Sequence, residues 1–93
     1  MIDINAESYA EITLTNFRLK ERLKVQQWIH CFITFSSEML PQDIIDPEIL
    51  VILNQDKQPL QIILQEEGCD SPNFQLTESE KSQVTEWLSQ QDL

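Results

Sequence analysis

The stretch Leu23-Lys24-Val25-Gln26-Gln27-Trp28-Ile29-His30-Cys31-Phe32-Ile33-Thr34-Phe35-Ser36-Ser37-Glu38-Met39-Leu40 decides the fold of this chain. Wound at about 100° per residue, it gathers Val25, Trp28, Ile29, Phe32, Ile33, Phe35, Met39 and Leu40 on one broad face. Gln26, Gln27, His30, Thr34, Ser37 and Glu38 then form a polar face, with Cys31 at the border. Extended, the residues alternate instead. Leu23, Val25, Gln27, Ile29, Cys31, Ile33 and Phe35 point one way, and Lys24, Gln26, Trp28, His30, Phe32 and Thr34 the other. The extended form opposes Trp28 and Phe32 to the core face, and 23–40 is long for one strand. The β-branched and aromatic content of 28–35 argues for it nonetheless. Burial of both aromatics favours the helix, so a central helix over 23–40 is the expectation, ended by Pro41.

Outward from this stretch, residues 49–53 (Ile-Leu-Val-Ile-Leu) and 60–64 (Leu-Gln-Ile-Ile-Leu) are short apolar runs separated by Asn-Gln-Asp-Lys-Gln-Pro. Turn-forming residues between two β-rich runs predict a hairpin with a longer loop. Pro59 can precede the second strand but cannot donate inside a ladder. Ile49, Val51 and Leu53 share one face, as do Leu60, Ile62 and Leu64. Leu50, Ile52 and Ile63 fall on the faces left over. Both faces of the hairpin are therefore apolar, and something must cover it.

At the C-terminal end, Thr77-Glu78-Ser79-Glu80 fits a capping box, with both glutamates favoured by the helix dipole. Val84, Trp87 and Leu88 follow at helical spacing, which predicts a helix over 78–91 with Leu93 on the opposite side. Residues 11–17 alternate and are β-branched, which predicts a third strand. Residues 43–47 and 66–73 read as loops, the second carrying the only glycine. The expectation is one small acidic α+β domain over 1–93: an antiparallel sheet of about three strands, hairpin 49–53/60–64 included, packed with the C-terminal helix and a longer central helix.

The chain of 93 residues carries 16 Asp plus Glu against 6 Lys plus Arg, a net charge of −10. Such a field repels nucleic acid and anionic membranes, so neither is expected as a direct partner. The charge is polarised. Residues 1–17 carry −3, residues 18–24 (Arg-Leu-Lys-Glu-Arg-Leu-Lys) carry +3, and residues 25–93 carry −10. No basic start with an apolar stretch opens the sequence, no apolar run is long enough to span a bilayer, and the two cysteines are not paired in a C-x-x-C motif. A cytoplasmic chain with reduced thiols is the expectation.

One glycine rules out the phosphate-cradling loops, which need several at fixed spacing. His30, Cys31 and Cys69 supply too few ligands for a zinc site and too little geometry for a thiolate–imidazole pair. The carboxylate pairs Asp43/Asp46, Glu66/Glu67 and Glu78/Glu80 sit in loops or at a helix cap, where charge is solvated. No enzyme, cofactor or metal is expected. The reading is an acidic protein-binding module of the adaptor, inhibitor or immunity type, covering a basic or apolar surface of a protein partner. Glu66, Glu67, Asp70, Glu78, Glu80 and Glu86 supply the charge, and Leu50, Ile52 and Ile63 the apolar contact. The alternative is a structural homodimer closed through the same apolar residues. A nucleic-acid mimic made from the six carboxylates, and an enzyme, stand behind both.

Overall fold

The structure, a computed structural model, describes residues 1–92; the expectation for Leu93 lies outside them. The chain runs β1 (Ile2–Asp3), β2 (Ser8–Tyr9), β3 (Thr15–Val25), β4 (Trp28–Ser36), β5 (Pro47–Leu53), β6 (Pro59–Glu66), β7 (Cys69–Asp70), β8 (Phe74–Gln75) and α1 (Glu78–Ser89). Strands β3-β4-β5-β6-β7 form an antiparallel meander, and β2-β1-β8 a second, three-stranded sheet. This is a mostly β architecture. The expected three-stranded sheet with a long central helix is overturned.

The central stretch is where the expectation fails. Residues 23–25 end β3, Gln26-Gln27 turn the chain, and 28–36 form the strand β4, which pairs with β3 on one side and β5 on the other. Ile29, Cys31 and Ile33 stand opposite Leu53, Val51 and Ile49, and these face the core. Trp28, His30, Phe32 and Thr34 therefore lie on the opposite face of the sheet. The helix reading assumed that one face must hold every large apolar group. Two long-range ladders and the β-branched content of 28–35 outweigh that preference, and the two aromatics take a second face.

The hairpin forms between β5 and β6, extended by a residue or two at its outer ends. Its loop is closed by Asn54, whose Oδ1 accepts from the amides of Asp56 and Gln58, both at 2.9 Å. The C-terminal helix also forms. Thr77 Oγ1 accepts from Glu80 N at 3.2 Å and Glu80 Oε1 accepts from Thr77 N at 3.0 Å, a complete capping box. Val84 and Leu88 are buried, and Trp87 meets Phe17 with ring centroids 5.4 Å apart.

The expected strand over 11–17 begins only at Thr15. Residues 11–14 alternate as a strand does, Ile12 and Leu14 buried and Glu11 and Thr13 exposed, yet among the described residues no strand pairs with them. Side chains of α1 take that place. Gln83 Nε2 donates to the Ile12 carbonyl at 2.9 Å, Gln83 Oε1 accepts from Leu14 N at 2.8 Å, and Glu80 Oε2 accepts from Ile12 N at 3.2 Å. Glu80 is fully buried, and the Met1 amino group also donates to its carboxylate. One hydrophobic cluster results, between the inner face of the five-stranded sheet and a layer holding Met1, Ile12, Leu14, Phe74, Leu76, Val84 and Leu88.

Turns are made almost without glycine. Gln26, closing the two-residue β3–β4 turn, has φ 58°, and Glu67 and Gly68, closing β6–β7, have φ 53° and 82°. A non-glycine residue in the left-handed region costs about 1–2 kcal/mol. Gln26→Gly is expected to stabilise the chain by about 0.5–1 kcal/mol, and Gly68→Ala to destabilise it by about 1 kcal/mol. Nothing lies within 4 Å of the Cβ that Gly68→Ala adds, so its effect is purely conformational. Thermal unfolding midpoints should move in opposite directions for the two substitutions.

Candidate functional site

The outer face of the five-stranded sheet is read from the cross-strand register. One row holds Leu23, His30, Ile52 and Gln61, and the next holds Glu21, Phe32, Leu50 and Ile63. Val25 and Trp28 close one end, and Thr34, Glu48 and Gln65 lie at the other. A bulge between Leu19 and Glu21 makes this face what it is. Leu19 is opposite Ile33 on the inner side, and the extra residue reverses the alternation so that Leu23 and Val25 turn outward.

The same bulge divides the basic stretch. Arg18 stands across from Thr34 on the outer face, and Lys20 reaches Glu48 there at 2.7 Å, while Arg22 and Lys24 stand opposite Cys31 and Ile29 on the inner side. The basic segment is thus two pairs on two faces.

Among the described residues no covering layer lies on the outer face. Leu23 and Val25 are 44% and 42% exposed, and Trp28, Phe32, Ile52 and Ile63 are half-buried, shielded only by their neighbours in the sheet. Leu50 is buried at the centre of this face and does not belong to the core cluster beneath the sheet. Leu50, Ile52 and Ile63 are therefore brought together. The helix α1 does not cover them, because its Val84 and Leu88 pack in the core on the other face of the sheet.

At the end nearest the β6–β7 turn the face sinks into a recess of about 550 Å³ lined by Lys20, Glu21, Phe32, Asp46, Glu48, Gln65 and Glu67 among others. Four carboxylates and one ammonium thus line it. The Lys20 ammonium is held above the usual lysine range, first by its hydrogen bond to Glu48 and the charge of that carboxylate, then by Glu21 and Asp46. Its side chain is 57% exposed, so the ion pair is a surface contact open to water and contributes little to stability. Gln65 is 6% exposed; its Nε2 donates to Asp70 at 3.3 Å, and its Oε1 is buried with no hydrogen-bond partner.

The six predicted carboxylates do not share one surface. Glu67 lines the recess and Asp70 orients Gln65 behind it. Glu66 is turned to the Ile45 amide and the Ser71 hydroxyl, Glu78 sits exposed at the start of α1, and Glu86 is exposed farther along it. Glu80 is inside the molecule, where a partner does not reach it. His30 and Cys31 are on opposite faces of one strand. Cys31 is fully buried, and burial pushes its thiol up from the usual cysteine range; Cys69 is exposed. Among the described residues no group of three or more His, Cys, Asp or Glu side chains is placed to hold a metal ion, and no helix is long and apolar enough to cross a membrane.

Comparison with protein-family models, with curated proteins and with solved structures finds no match. The sequence missed Leu23, Val25, Trp28 and Phe32 as surface residues, missed Glu21, Glu48 and Gln65 as site residues, and read Asp46 only as half of a solvated pair with Asp43. The available signal was the alternation of apolar groups on both sides of 28–35.

Proposed function

We propose that this chain is a protein-binding module whose outer sheet face docks on a basic protein. The observation that carries this reading is the uncovered apolar face centred on Leu50. Four strands about 4.8 Å apart, each about eight residues of about 3.3 Å, make a plane of roughly 19 Å by 26 Å, or about 500 Å² before side-chain relief is counted. That approaches one side of a standard interface, about 800 Å² of accessible surface, and matches the largest patch of a typical monomer, about 300–600 Å² and often functional. Charge complementarity selects the occupant. The face ends in an acidic recess on a chain of net charge −10, which attracts a basic surface and repels a second copy of itself.

The test uses an array of synthetic peptides matched in apolar content and differing in charge. Basic apolar peptides are expected to be retained, acidic ones not, with retention falling as salt rises. Phe32→Asp combined with Ile52→Asp should lower retention at least about tenfold. Retention unchanged by that pair overturns the reading. So does light scattering that finds a stable homodimer in place of the 10.9 kDa monomer, because the face is then closed by a second copy.

A further inference from the structure

The recess at the end of the outer face has the acceptors, the charge and the aromatic wall to hold one planar cation. We infer that it receives an arginine side chain of the bound protein, its guanidinium set against Phe32 between Glu21, Asp46, Glu48 and Glu67, with the Gln65 carbonyl as an uncharged acceptor. The inference rests on the docking reading above and specifies the residue that anchors it.

Three independent observations converge here. The first is charge: four carboxylates and one ammonium line the recess, so it is anionic even with Lys20 in place. The second is the orphaned oxygen. A buried amide carbonyl without a partner costs about 1–3 kcal/mol, and Gln65 carries one in the wall of this recess while its amino end is held by Asp70. A small shift of the side chain toward an entering N–H donor satisfies it. The third is Phe32, which belongs both to the recess and to the apolar row Phe32-Leu50-Ile63, so a ligand in the recess continues directly onto the docking face.

Guanidinium fits this set better than ammonium. It offers five donors in one plane to acceptors spread around the recess, it is less strongly hydrated, and its face stacks on an aromatic ring. The Lys20 ammonium is a single point charge already paired with Glu48, and its exposure lets it swing aside when a second cation enters.

The test is a titration followed by amide NMR, with three probes that differ only at the charged end: the β-naphthylamides of Nα-acetyl-arginine, Nα-acetyl-lysine and Nα-acetyl-citrulline. Citrulline keeps the shape of arginine and removes its charge. All three should move the backbone amides of Leu50 and Ile52 through the naphthyl ring. Only the arginine probe should move the Gln65 side-chain amide and Gly68 strongly, binding about tenfold tighter than the citrulline probe, a difference of one acidic anchor. Glu21→Gln with Glu48→Gln should reduce that ratio below about threefold, while Lys20→Met should raise arginine affinity about threefold by freeing Glu48. Gln65→Met should lower it, with unchanged amide dispersion showing that the fold is intact.

Equal shifts at Gln65 from arginine and citrulline, or an arginine preference that survives both glutamine substitutions, overturn the arginine anchor and leave the docking face standing. No shift anywhere on the outer face at about 10 mM of any probe overturns the anchor and the docking reading together.

Discussion

Glu80→Ala is expected to lower the unfolding free energy by about 3–5 kcal/mol, the largest loss for any single polar side chain in this molecule. Glu80 is fully buried, and its carboxylate accepts from the amides of Ile12 and Thr77 and from the Met1 amino group. Alanine leaves the Ile12 and Thr77 amides inside the protein without an acceptor, leaves the Met1 amino group only the Ala10 carbonyl, and removes one half of the capping box as well. The contacts join three distant pieces of chain: the first residue, the unpaired 11–14 segment and the start of α1. Their loss therefore frees the whole layer that covers the sheet. Glu80→Gln keeps an oxygen for one amide and the box geometry, and should cost clearly less than alanine. Denaturant unfolding followed by tryptophan fluorescence measures both, Trp87 lying in the affected layer. A loss under about 1 kcal/mol for Glu80→Ala would show that water replaces the carboxylate, against the burial seen here.

The features that sequence reasoning reached are those whose partners are close along the chain. Thr77 and Glu80 are three residues apart and cap a helix whatever surrounds them. The β5–β6 hairpin needs only the loop between its own strands. Residues 23–40 are different, because each of their two possible forms is locally reasonable. What decides is pairing with β3 on one side and β5 on the other, together with a sheet that tolerates apolar groups on both faces. The strands β1, β2 and β8 are two residues long and carry no period at all. The 11–14 segment has a strand's alternation, but Gln83 and Glu80 satisfy its backbone, some 70 residues away.

The candidate site divides along the same line. Leu50, Ile52 and Ile63 were legible because a hairpin with two apolar faces leaves one of them over. The recess was not. Its walls come from Lys20 and Glu21 at one extreme and Gln65 and Glu67 at the other, and Lys20 enters only because a bulge turns it to the outer face. A bulge adds one residue to one strand and has no composition of its own. The net charge, read at first as a property of the whole chain, matters in this site as four carboxylates and one exposed lysine.

Ile49 and Ile52 are the same residue type on the same strand, three positions apart and on opposite faces, so alanine at each compares the two faces directly. Ile49 is fully buried in the core, and Ile49→Ala is expected to cost about 2–5 kcal/mol through lost transfer energy and the cavity left behind. Ile52 is half-buried on the uncovered face, where the space vacated opens to water, and Ile52→Ala should cost about 1 kcal/mol or less. Aspartate sharpens the contrast. At Ile49 it buries an unpaired charge and the chain should fail to fold, whereas at Ile52 the protein should fold and lose its retention on basic apolar peptides. Similar alanine costs at the two positions would mean that the outer face is already covered in solution. A second copy is the one cover available in a pure sample, and the melting temperature of the Ile52 variant would then rise with protein concentration, as mass action requires of a dimer. A melting temperature independent of concentration, beside a small loss at Ile52 and a large one at Ile49, leaves the face free for a different protein.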